Sequence, residues 1–144
     1  MLQRYSALFF AATLFSTAVH AIGQEQQWGN WSGVINVMEF ELSADNSAGE
    51  RITLTCRDNR LNVDYSVPEN EYQDTSDNGI KEVGLNINGT HFQPGEAAFM
   101  ALKNTNGDGE IEITRMNKLL SHPFKMNGLH DALQDITWED CTSH

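Results

Sequence analysis

Cys56 and Cys141 are the only cysteines in the chain, and their chemistry depends on the compartment. In a reducing one they are two thiols. In an oxidising one an even count points to a disulfide, and only one pairing is possible. That bridge would close a loop of about 85 residues and contribute about 4–5 kcal/mol in the chain-entropy account. A metal site would need more ligands at close spacing, and neither cysteine has a C-x-x-C partner. His91, His122, His130 and His144 form no H-E-x-x-H or other ligand spacing. The run Asn104–Gly109 (NTNGDG) begins like a calcium loop, but Arg115 stands where the bidentate acid belongs. A tight connector turn is the better reading. The sequence contains no G-x-S-x-G, no Gly-rich phosphate loop and no Cys–His pair with a free thiol. Glu110 and Glu112 project from the wet face of a strand. No catalytic residue, metal or cofactor is therefore expected, and the chain is not read as an enzyme.

Chemistry of another kind is available between Val67 and Gly79 (VPENEYQDTSDNG). Glu69, Glu71, Asp74 and Asp77 surround Tyr72, with no basic residue among them. Such a loop could enter a basic cleft, with Tyr72 as an aromatic anchor. The same composition also describes an ordinary solvated connector. The whole-chain balance points the same way as the first reading. Lys+Arg is 9 against Asp+Glu 20, a formal charge of −11, which repels nucleic acid and anionic membranes and favours a basic protein partner.

The elements that must position these groups are mainly strands. Trp31–Leu42 is apolar, β-branched and aromatic, and reads as one strand. Ser43–Glu50 (SADNSAGE) reads as a loop. Ile52, Leu54 and Cys56 alternate with polar residues, as do Leu61, Val63 and Tyr65. Asp58-Asn59 lies between them, which gives a β-hairpin with Cys56 on its inner face. Val83, Leu85 and Ile87 predict a strand that ends at Asn88-Gly89. Pro94 opens a short helix over Glu96–Lys103. Ile111 and Ile113 predict a further strand, and Phe124 and Met126 another. Leu129, Ala132, Leu133 and Ile136 follow helical spacing and predict one closing helix. The expected fold is α+β: mainly an antiparallel β-sheet or small sandwich, with one short helix and a closing C-terminal helix. Ile52, Leu54, Val63, Val83, Leu85, Ile87, Phe99, Ile111, Ile113, Phe124, Leu129 and Leu133 should form its core.

The chain of 144 residues, 40% hydrophobic, divides into three parts. Residues 1–21 form a signal peptide: Arg4, an apolar run from Ala7 to Phe15, then Ala-Val-His-Ala as the cleavage site. Its removal takes away Arg4 and no acid, moving the charge from −11 to −12. No cysteine lies near the junction to carry a lipid, so no membrane anchor is expected. Residues 22–30 are polar and read as a flexible leader. Residues 31–144 form a single disulfide-stapled, β-rich domain. Export places the chain in the periplasm, and makes Asn30-Trp31-Ser32 and Asn88-Gly89-Thr90 glycosylation sequons only in a eukaryotic secretory route.

Two stretches carry a family pattern. Leu54-Thr55-Cys56-Arg57-Asp58-Asn59 resembles the L-x-C-R-x-N segment of the VasI/TagO family. Phe124 to Leu133, closing at Cys141, resembles that family's F-x-x-x-G-L-x-x-A-L ending and final Cys. The resemblance implies an exported accessory component associated with bacterial type VI secretion, and it implies the same Cys56–Cys141 bridge. The chain departs from the pattern after Trp31, where Ser32-Gly33 replaces a paired Asp, and after Cys141, where the terminal Trp is missing. These departures suit a small periplasmic relative with a different partner. The expected function is protein binding, as an inhibitor or immunity protein that neutralises a type VI secretion effector such as a cell-wall-degrading enzyme. The alternative is a non-enzymatic accessory component of the secretion apparatus. Oligomeric state is not encoded in any of these features.

Overall fold

Alternating side chains build the larger of two sheets. In the computed structural model, which describes residues 24–36, 39–57, 60–70, 72–75 and 83–142, the sheet is an antiparallel meander. Its strands follow chain order: β1 (Gln26–Trp28), β2 (Trp31–Asn36), β3 (Glu39–Asp45), β4 (Arg51–Arg57), β5 (Arg60–Val67) and β6 (Tyr72–Thr75). Ile52, Leu54 and Cys56 of β4 are buried and pair with Tyr65, Val63 and Leu61 of β5. The register Arg57↔Arg60 leaves a two-residue connection, as the hairpin expectation requires.

The smaller sheet has the order β10-β9-β7-β8, with β11 also on β9. Its strands are β7 (Val83–Ile87), β8 (Thr90–Phe92), β9 (Glu110–Arg115), β10 (Lys118–Leu119) and β11 (Phe124–Lys125). Helix α1 (Glu96–Asn104) joins β8 to β9, and α2 (Leu129–Leu133) and α3 (Trp138–Thr142) close the chain. The fold is α+β and mainly antiparallel, as expected. All twelve core residues named from the sequence are buried, and both sheets and the helices share one core. Phe40 on β3 stacks on Phe99 of α1 at 6.2 Å, and Phe99 meets Trp138 of α3 at 5.7 Å. A disulfide joins Cys56 on β4 to Cys141 on α3, with Cα atoms 5.4 Å apart. No helix among the described residues is long and apolar enough to cross a membrane.

Five details depart from the sequence reading. The Trp31–Leu42 run is two strands: Asn36 pairs with Glu39, so the chain folds back on itself. The inward phase switches from Trp31 and Ile35 to Phe40, Leu42 and Ala44, and that switch marks the break. The same pairing carries β3 to Asp45, so Ser43–Asp45 is strand and not loop. The leader is not loose throughout. Gln26–Trp28 pairs with β2, and Asn30 N donates to Asn127 O at 2.9 Å. Gly128, at φ +95, lets that turn press close: a Cβ there would lie 1.8 Å from Trp28 O. The closing helix is two helices, because Thr137 caps a second one. Its hydroxyl and amide bond Asp140 Oδ2 at 3.0 and 2.7 Å, a capping box that restarts the helix. Finally, part of the Val67–Gly79 segment is strand, since β6 supplies the partners that the free edge of β5 needs. The signal segment, residues 1–21, lies outside the described residues.

Candidate functional site

Two groups of polar side chains stand out, one at the seam between the sheets and one on the outer surface of the larger sheet. The seam begins with the β3–β4 connection. Asn46 Oδ1 accepts from Ala48 N at 3.1 Å and Glu50 N at 3.0 Å, an Asx-type turn that directs Glu50 inward. Glu50 is only 6% exposed. Its Oε1 accepts from Asn46 Nδ2 at 2.9 Å, from His122 N at 2.8 Å and from the His122 ring at 3.0 Å. Its Oε2 accepts from the Tyr65 hydroxyl. Burial raises the carboxyl's pKa, but the bonds from Tyr65, Asn46 and His122 outweigh it and hold the group below the usual carboxylate value.

A carboxylate offers about four acceptor positions; here three donors converge on Oε1 and one on Oε2. Glu50 is thus held in its buried position by four protein donors. Its chemistry is that of a clasp: it joins β4 and β5 to the segment after β10. The His122 side chain is 76% exposed and contributes its ring from outside. Sequence reasoning missed this cluster. Asn46 and Glu50 looked like loop residues, and nothing in the sequence links His122 to a position 72 residues earlier.

The second group lines an open groove of about 710 Å³ on the outer surface of β1–β4. Glu25, Gln27, Ser32, Glu41, Ser43 and Asp45 supply most of its polar wall. Gly33 also lines the groove. Its φ is +153, and a Cβ there would lie 1.9 Å from Glu41 O, so only glycine fits this crossing of β2 and β3. Among the described residues of the lining, the single basic one is Arg51. Asp45 holds it in a two-point ion pair, at 2.7 Å from Nε and 3.1 Å from the second nitrogen. The groove thus presents Glu25 and Glu41 as net negative charge in a concave, polar surface. Such a surface suits a cationic side chain or a basic loop. Sequence reasoning missed it too, because its residues come from four elements and are ordinary outward-facing strand positions one at a time.

Of the residues predicted to bind a partner, Glu69, Tyr72 and Asp74 lie along the other edge of the same sheet. Glu69 is exposed in a short 3-10 turn, Pro68–Asn70. Tyr72 and Asp74 lie on β6, opposite Val67 and Tyr65 in the register. Glu71 and Asp77 lie outside the described residues. The predicted loop is therefore a turn followed by an edge strand over its described part. Among the described residues no group of three or more His, Cys, Asp or Glu could hold a metal ion. His91 bonds Asn86 at 3.1 Å within the β7–β8 hairpin, and His130 bonds Lys103 O at 2.6 Å, tying α2 to α1. Comparison with protein-family models, curated proteins and solved structures gives no match to this chain.

Proposed function

We propose that the chain is an exported protein-binding protein that acts in the periplasm as an inhibitor or immunity protein. Its partner is a basic type VI secretion effector, such as a cell-wall-degrading enzyme. The observation that carries this reading is the acidic groove, in which Asp45 already neutralises Arg51. A formal charge of −11 on the whole chain supports it, since a field of that sign steers a cationic protein toward the surface. The Glu69–Asp74 edge adds further acid to the same sheet and forms the second part of the proposed contact. The disulfide and the Glu50 clasp supply the rigid frame that an inhibitor needs to avoid losing affinity to ordering.

The test is capture from a periplasmic extract of cells that carry a type VI system, with two variant sets. One changes the groove (Glu25→Gln with Glu41→Gln). The other changes the edge (Glu69→Gln, Glu71→Gln, Asp74→Asn and Asp77→Asn, with and without Tyr72→Ala). Recovery of one basic effector by the wild type, lost with the groove set, is the expected result. Recovery of envelope assembly components instead supports the accessory reading that the L-x-C-R-x-N resemblance implies. Equal recovery by wild type and both variant sets contradicts the proposed surface.

A further inference from the structure

Three large hydrophobic side chains are exposed among the described residues: Met100, Met116 and Leu119. Two of them belong to one hairpin. Met116 and Leu119 are each 62% exposed, at and beside the turn between β9 and β10. Lys118 is exposed between them. The pairing Lys118↔Arg115 leaves Met116 and Asn117 as a two-residue loop, and both have positive φ, +52 and +58. That is the mirror-image turn of tight hairpins, which favours Asn followed by Gly. Met is a poor choice for it, because a side chain in the left-handed region meets the following carbonyl. A strained backbone that displays an apolar side chain to water suggests a use for that side chain. The other two-residue turn of the smaller sheet, Asn88-Gly89, has the favoured pair. The contrast isolates the β9–β10 tip.

We propose that the β9–β10 hairpin is an insertion element, with Met116 and Leu119 entering an apolar cleft of the partner and Lys118 meeting carboxylates at its rim. The inference rests on the proposed function, an inhibitor of a cell-wall-degrading enzyme. Glycan-cleaving enzymes carry a pair of carboxyl groups at the scissile bond, in a cleft that also has apolar walls. A strongly acidic inhibitor is repelled by such a cleft unless it presents a cation there. Lys118 is a cation placed beside two exposed apolar side chains. The body of the molecule and the hairpin then divide the work: the acidic surface attracts a basic enzyme, and the hairpin occupies its acidic cleft.

The probe is a purified basic lysozyme-type muramidase, assayed on peptidoglycan and by retention on the immobilised full chain. Wild type should retain the enzyme and slow hydrolysis. Met116→Asn with Leu119→Thr should weaken inhibition at least tenfold. Lys118→Glu should do the same. The double variant should melt at the wild-type temperature or above it, because Asn suits the turn, so a loss of inhibition is not a loss of fold. If the wild type neither retains nor inhibits the enzyme, the reading as a cell-wall enzyme inhibitor fails, and this proposal with it. If the wild type inhibits and the hairpin variants inhibit equally well, only the hairpin proposal is overturned. Hairpin-dependent binding of the wild type to phosphatidylglycerol vesicles would also overturn it, by making the tip a membrane contact.

Discussion

Glu50, in the β3–β4 connection, and Glu41, on β3, are glutamates of one region with opposite situations. Glu50 is buried at the seam, where its oxygens accept four hydrogen bonds from within the protein. Glu41 is exposed on β3 and lines the outer groove. The first carboxylate is satisfied internally and works for the fold. The second faces water and is available to a partner. An acid's role here follows from its burial and its donors, and a total charge of −11 says nothing about which acids play which part.

The seam should break first and hardest. Cys56→Ser removes the tie between β4 and α3, and should lower unfolding stability by about 2–5 kcal/mol in denaturant titration. Glu50→Gln leaves similar volume but loses the charge on four hydrogen bonds, so a loss of about 1.5–3 kcal/mol is expected. Tyr65→Phe removes one donor and should cost about 1–2 kcal/mol. An unfolding midpoint equal to wild type in Glu50→Gln would remove the clasp from the account.

Acid provides a finer probe of the same region. The folded-state pKa of Glu50 is depressed, so its stabilisation is present above the ordinary carboxylate value of the unfolded chain. It is lost as pH falls through the lower folded value. Stability of the wild type should therefore decline in that acidic window more steeply than that of Glu50→Gln. Parallel curves for the two proteins would contradict the assignment. The smallest stability effect belongs to the groove: Glu25→Gln with Glu41→Gln should move unfolding by no more than about 0.5 kcal/mol.

The contrast also marks what the sequence could reveal. Positions such as Ile52, Leu54, Val63 and Ile113 declared themselves through strict alternation, because one face of each strand is buried and the other is wet. The disulfide followed from a count of two and a compartment. Short elements were harder. The strands β8 and β10 have three and two residues, too few to show a period. Asn88-Gly89 carries the signal of a tight return, but three residues after it are too few to declare a strand. Met116-Asn117 carried no such signal, since Met disfavours the left-handed backbone that the first turn position needs. Thr137-Trp138-Glu139-Asp140 held a readable capping box that the helical spacing of Ile136 obscured. The clasp and the groove were illegible for a different reason. Each is assembled across the sheet or between the sheets from residues with no local pattern, and only the register brings them together.

The central claim is that the groove recognises a basic partner while the seam only supports the frame. Its most direct test is the association rate between the chain and the effector recovered by capture, measured against ionic strength. Wild type should associate fast at low salt and slow steeply as salt rises. Glu25→Gln with Glu41→Gln should associate more slowly and with a flatter salt dependence, at an unchanged unfolding midpoint. The same rate and the same salt slope in the variant and the wild type would contradict the account.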